Sequence, residues 1–109
     1  MKNVLFVCSQ NKLRSPTAEA IFAGIEGLDV RSAGLNNSAA VQVSSELITW
    51  AEYIFVMEQS HRNKLRKKFR NDINKQRIIC LNIPDDYAYM DPELIEILKL
   101  KMGSFFNLK

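Results

Sequence analysis

Two side chains near the start of the chain have the types and spacing for one kind of chemistry. The stretch VCSQNKLRSPT (residues 7–17) places Cys8 and Arg14 at the two ends of a short loop, Ser9, Gln10, Asn11, Lys12 and Leu13, and follows them with Ser15 and Pro16. A thiolate is a potent nucleophile. A guanidinium offers a planar fork that holds two oxygens of a phosphate. Backbone N–H groups of a loop leading into a helix N-terminus point at a common centre and bind an anion there. The same positive field favours a thiolate over a thiol. A phosphoryl group seated in such a cradle would face Cys8 in line, with the loop amides and Arg14 matching the equatorial oxygens of the transition state. Ser15 is placed to donate a hydrogen bond to the sulfur and ease its departure in a second step. Asn11 tolerates the left-handed backbone that a tight cradle often requires. The plainer alternative is a buried cysteine at a strand end beside a solvated arginine. What speaks for the cradle is its place after the first strand of an alternating pattern, with Ser-Pro behind it.

The elements that must position these residues are legible in the hydrophobic pattern. VLFV (residues 4–7) is continuously apolar, as in a parallel strand covered on both faces. LDVRS (28–32) alternates, as in a half-exposed edge strand. YIFVM (53–57) and RIICL (77–81) are apolar runs rich in β-formers. Helical patterns lie between them. SPTAEAIFAGIEG opens with Ser15 and Pro16, carries Ala18, Ile21, Phe22 and Ile25 at helical spacing, and meets a stop at Gly27. Ser44 caps a short helix whose Leu47, Ile48 and Ala51 face inward. Ser60 reads as the cap of a helix anchored by Leu65 and Phe69, and Asp91-Pro92 opens a last helix with Leu94, Ile97, Leu98 and Met102 on one stripe. The alternation predicts an α/β three-layer sandwich with a four-stranded parallel sheet, order 2-1-3-4, and right-handed crossovers. The topological switch then falls beside the carboxyl end of residues 4–7, where the loop begins.

Composition bounds the rest. The 109 residues fit one domain, 1–109, with a small core. The net charge of +3 mildly favours anionic partners and does not by itself argue for nucleic acid. Cys8 and Cys80 are too far apart, with no repeated spacing, to suggest a disulfide framework or a zinc pattern, so no metal or other cofactor is expected. The apolar run before Cys8 is too short for a signal peptide or a membrane span, and a free thiol suits a reducing cytoplasm. Residues 61–77 hold eight Arg or Lys against one acid, Asp72, but no interleaved aromatics, so a solvated face is preferred to an RNA-binding one. His61, the only histidine, reads as a surface residue or one behind the cradle; Trp50 and Phe69 read as packing, and Cys80 as an inert buried thiol. Oligomeric state is not encoded in any of these features.

The segment VLFVCSQNKLRSPTAEAIF resembles the N-terminus of the low-molecular-weight protein tyrosine phosphatases, whose signature V-C-x-x-N-x-x-R-S-P is matched by Val7, Cys8, Asn11, Arg14, Ser15 and Pro16. RSAG (31–34) and AEYIFVMEQSHRNKL resemble later family segments. The resemblance implies a cysteine-dependent phosphatase acting on a phosphorylated protein or small aryl phosphate, phosphotyrosine included, through a phosphocysteine intermediate. It implies Cys8 as nucleophile, residues 9–15 as the phosphate loop, and Ser32 as a support of that loop through Asn11.

The chain departs from the family pattern in several places. It is shorter than is usual for the family, with the missing material expected between Gly34 and Trp50, where a longer helix and a supporting histidine would stand, or also in the KKFRNDINKQ region. Leu13 stands where many relatives have a second cysteine, which removes one protection of Cys8 against over-oxidation. LNNSAA (35–40) lacks the aromatic wall that relatives raise there. Three aspartates compete for the role of general acid. Asp85, with Tyr87 as a substrate-stacking ring, fits the family's acid by distance to the following helix; Tyr89 is a second ring. Asp91-Pro92 matches the family dipeptide but also reads as a helix cap, and Asp86 stands behind both. Two other functions stay open: an arsenate reductase-like redox enzyme on the same fold, which would use Cys80, and a non-catalytic phosphate-binding module.

Overall fold

The apolar run at residues 4–7 forms the inner part of a sheet that is covered on both faces. In a computed structural model, describing residues 2–106, the elements run β1 (Lys2–Cys8), α1 (Arg14–Phe22), β2 (Leu28–Gly34), α2 (Ser45–Trp50), β3 (Tyr53–Val56), α3 (Gln59–Lys68), β4 (Arg77–Cys80) and α4 (Pro92–Phe106). The sheet is parallel with order β2-β1-β3-β4, as expected. Met1 and residues 107–109, the ends of the expected domain, lie outside the described residues.

Because side chains alternate across a strand, β1 feeds two cores. Val4, Phe6 and Cys8 join a cluster with Ala18 and Phe22 of α1 and Leu94, Leu98 and Met102 of α4. Leu5 and Val7 join a second cluster with Ile48 of α2 and Leu65 of α3. Phe6 stacks between Phe22 at 5.8 Å and Phe55 at 5.5 Å. Pairing of Val7 with Ala33 on one side and Val56 on the other sets the end of β1 level with its neighbours. Cys8 therefore emerges at the carboxyl edge of the sheet, at the switch between β2 and β3.

Three local expectations need correction. Helix α1 begins at Arg14, with Leu13 at its N-cap and no side-chain cap, and it ends at Phe22 rather than at Gly27. Gly27, at φ 88°, serves the turn into β2, where its carbonyl accepts the Lys2 N–H at 2.8 Å. Helix α3 is capped by Glu58, not Ser60: Glu58 and His61 form a reciprocal capping box. Ser44 does cap α2, accepting from the Leu47 N–H, and the Asp91 carboxylate accepts from the Glu93 N–H at the start of α4. Among the described residues no helix is long and apolar enough to cross a membrane.

The account of the α4 stripe is testable. Leu98 is fully buried and Leu100, two residues on, is 81% exposed. Leu98→Ala should destabilise the chain by about 2–5 kcal/mol in urea unfolding, whereas Leu100→Ala should stay within about 0.5 kcal/mol of the native chain.

Candidate active site

Residues 8–15 form a cradle at the carboxyl end of β1. It needs an unusual backbone at Asn11, whose φ of 55° lies in the left-handed region that asparagine tolerates better than most residues. It also needs the absence of a side chain opposite. A Cβ on Gly34 would lie 2.6 Å from the Ser9 carbonyl oxygen and 2.9 Å from the Asn11 nitrogen. The loop is further tied to the segment after β2: Leu35 N–H donates to the Cys8 carbonyl and Asn36 N–H to the Ser9 carbonyl, both at 3.0 Å.

Cys8, Asn11, Arg14 and Ser15 are all buried. The Asn11 side-chain amide donates to Ser15 Oγ at 3.0 Å and to Ser32 Oγ at 2.9 Å. Each hydroxyl, having accepted that bond, directs its own proton elsewhere. Ser32 donates to Glu19 Oε1 at 2.6 Å. Ser15 lies 2.9 Å from Cys8 Sγ and donates to it. The Asn11 backbone N–H also donates to the sulfur, at 3.2 Å. Two donors thus converge on Sγ, an arrangement that suits a negatively charged sulfur. The relay ends on Glu19, a residue the sequence reading did not single out; its place one turn after Ser15 on α1 was the available signal.

Arg14 is held as firmly. Its Nη1 donates to Glu58 Oε2 and to the Ile83 carbonyl, both at 2.7 Å. Those bonds take both hydrogens of Nη1 and leave the Nε and Nη2 edge of the guanidinium for oxygens of a ligand. Asp85 Oδ1 lies 3.7 Å from Nε. Glu58 was missed because it is a poor cap by type. It takes that position here while also binding Arg14, which a serine at that place could not reach.

His61 is 2% exposed, not a surface residue. Its Nδ1 accepts the Glu58 N–H at 3.1 Å, so the neutral ring carries its proton on Nε2 and donates it to Ser9 Oγ at 3.0 Å. Burial, and then the nearby Arg14 charge, lower its pKa from 6.5 to about 4. It is therefore neutral near pH 7 and anchors the first residue of the loop.

A cavity of about 160 Å³ is lined by Cys8, Ser9, Gln10, Lys12, Leu13, Arg14 and Asp85. Asp85 is thus brought to the cradle. Asp91 is engaged at the start of α4 and does not line the cavity, nor does the exposed Asp86. Tyr87 is half-buried against the α1–α4 core, and Tyr89 is exposed; neither lines the cavity. The loop that carries these residues is pinned to α1 by the Met90 N–H, which donates to Thr17 Oγ1 at 2.9 Å. Cys80 is half-buried rather than buried, and its thiol donates to Asn82 Oδ1. It packs with the α2–α3 core, on the face of the sheet opposite Cys8, and β3 stands between the two strands. The separation across two strand spacings is about 10 Å. No group of three or more metal-ligating side chains occurs among the described residues.

The depressed pKa of His61 carries a sign. The unfolded chain takes up a proton on His61 near pH 6.5 and the folded chain only near pH 4, so this residue's contribution is complete above about 6.5 and is lost as pH falls towards 4. Between pH ~7 and ~4.5 the native chain should lose about 2–3 kcal/mol more stability than His61→Asn. Parallel urea-unfolding curves for the two across that range would contradict the burial and tautomer described above.

Comparison with known proteins agrees with this geometry. Residues 3–41 match the sequence model of the low molecular weight phosphotyrosine protein phosphatase family. No curated protein matches the sequence significantly. Solved structures match over nearly the whole chain. The YwlE arginine phosphatase from Geobacillus stearothermophilus is 21% identical with a TM-score of 0.78, over 98% of this chain and 94% of that one. SP-PTP, a low molecular weight protein tyrosine phosphatase from Streptococcus pyogenes, is 16% identical with a TM-score of 0.80, over 98% and 92%. A protein tyrosine phosphatase from Entamoeba histolytica is 22% identical with a TM-score of 0.80, over 98% and 94%. Over residues 3–41 the chain is thus similar in sequence to the low molecular weight phosphotyrosine protein phosphatases, and over nearly all its length it has the fold of solved structures of that kind.

Proposed function

We propose that the chain hydrolyses phosphate monoesters through a phosphocysteine intermediate. One observation carries this reading: Cys8 Sγ sits at the floor of the cradle, accepts from Asn11 N–H and lies 2.9 Å from Ser15 Oγ, with Arg14 beside it. Bound phosphate oxygens are held by the loop amides and by the Nε and Nη2 edge of Arg14. The Cys8 thiolate attacks phosphorus; the S–P bond forms as the ester P–O bond breaks. Asp85 gives its proton to the leaving oxygen. In the second step the Asp85 carboxylate takes a proton from water, the water oxygen bonds to phosphorus, and the S–P bond breaks. Inorganic phosphate leaves and the thiolate returns, with Ser15 stabilising it as it departs.

The substrate is proposed to be an aryl phosphate, as in a phosphotyrosyl protein. The cavity lining contains no aromatic ring, so contact with the leaving group falls to Leu13, which is 38% exposed, and to Lys12. An arginine phosphatase is among the structures this fold resembles, which makes phosphoarginine the natural comparison substrate. The redox alternative gains no support from the position of Cys80 on the far face of the sheet, and the position of Asp85 at the rim favours a catalytic cradle over a binding-only one.

Turnover of phenyl phosphate should fall to background in Cys8→Ser and by about 10²-fold or more in Asp85→Asn, because phenolate is a poor leaving group that needs a proton. Asp91→Asn should leave the rate near native, since asparagine also caps a helix, while Asp91→Ala should lower stability by about 1 kcal/mol. Cys80→Ser should turn over at the native rate. Activity in Cys8→Ser would exclude the covalent route, and an unaffected Asp85→Asn would remove Asp85 as the acid.

A further inference from the structure

The basic segment that follows His61 forms no ion pair among the described residues, and Lys68 Nζ lies over the Phe69 ring at 5.9 Å. Of the eight Arg and Lys in residues 61–77, Lys64, Lys67 and Lys68 are exposed on α3 and form no ion pair among the described residues. The nearest acid in sequence, Asp72, instead accepts from Ser45 Oγ at 2.9 Å. Cations in the last turn of a helix complement its dipole, which accounts for Arg66, Lys67 and Lys68 but not for Lys64 in the middle of α3. Nor does it account for the shape of the surface. Leu35, Lys64, Lys67 and Lys68 line a cavity of about 420 Å³. A second, of about 390 Å³, shares Lys67 and Lys68 and adds Arg70, Asn71 and Asp72. The two adjoin at Lys67 and Lys68 and are treated as one trough along α3.

The trough begins where the cradle ends. Leu35 at its floor donates its N–H to the Cys8 carbonyl, and His61, one turn before Lys64, donates to Ser9. From His61 to Lys68 the helix rises about 10 Å, the reach of about three residues of extended polypeptide. We propose that this trough docks an acidic stretch of the polypeptide whose phosphorylated residue sits in the cradle, with Asp or Glu two to five positions away meeting Lys64, Lys67 and Lys68. The inference rests on the phosphatase reading for the cradle and adds a sequence preference to it. An acidic polypeptide fits better than a nucleic acid, because Phe69 is buried in the core and the trough lining offers no ring for base stacking. The apolar floor at Leu35 suits a side-chain stem.

The test compares two phosphotyrosyl peptides, one with Glu flanking the phosphorylated residue and one with Gln in the same places, together with para-nitrophenyl phosphate. The native chain should show about a 10-fold higher kcat/KM on the acidic peptide at low salt, falling as salt rises. The variant K64Q/K67Q/K68Q should lose that preference and retain the native rate on para-nitrophenyl phosphate, which also reports that it is folded. Equal rates on the two peptides, or a preference that survives in the variant, would overturn the docking surface. Failure of the phosphatase reading itself appears separately, as no hydrolysis of para-nitrophenyl phosphate. In that case fluorescence anisotropy of the unphosphorylated acidic peptide reads the trough directly: binding that weakens in the variant supports it, and no difference overturns it. Displacement of that peptide by single-stranded RNA at a lower concentration than by unlabelled peptide would overturn the proposed occupant.

Discussion

The side-chain amide of Asn11 is the contact on which the upper surface of this molecule depends. It is buried, it lies on a residue with left-handed backbone, and it gives both its hydrogens to serines from different elements. Ser32 comes from β2 and Ser15 from α1, so one amide joins the loop to the sheet edge and to the first helix. Its direction of donation orders the other protons: one ends on Glu19 and the other on the Cys8 sulfur. A buried donor left without either serine would carry its full desolvation penalty. The network is therefore satisfied in one arrangement, and that arrangement aims two donors at Cys8.

A second set of contacts fixes the far side of the cradle. Glu58 ends β3's continuation and begins α3; it binds Arg14, caps the helix and places His61 under Ser9. Arg14 is enclosed while Glu58 is 41% exposed, so loss of Glu58 would leave a buried guanidinium with less compensation for its charge. The cradle is thus held from β2 through Asn11 and from β3 through Glu58. These are the two neighbours of β1, on either side of the switch point, and the sheet order that places them there is what makes the site possible. Positive charge continues outward from this junction along α3, on the exposed Lys64, Lys67 and Lys68.

The strands and the last helix were legible because apolar periodicity reports burial directly. Val4 to Val7, Ile54 to Val56 and the Leu94–Leu98–Met102 stripe are buried as their spacing requires. Cys8, Asn11, Arg14, Ser15 and Ser32 could be named because they sit in a short contiguous motif or pair with it in register. Glu58, His61 and Glu19 could not be assigned, for a common reason. Each acts through a partner distant in sequence: Glu58 with Arg14, His61 with Ser9, Glu19 with Ser32. A capping rule based on residue type selects Ser60, and only the tertiary contact with Arg14 favours Glu58. The same limit applies to Cys80, whose face of the sheet depends on strand register rather than on apolar neighbours.

The most direct test of the central claim is chemical trapping of the intermediate. On this account Asp85→Asn slows both the formation of the phosphocysteine and its hydrolysis, and an activated substrate such as para-nitrophenyl phosphate eases only the formation. Acid quenching of that variant during turnover, followed by peptide mass analysis, should reveal one added phosphoryl group on the peptide containing Cys8. A substrate that is hydrolysed with no phosphoryl group on Cys8, or with the group carried by another residue, would contradict the account.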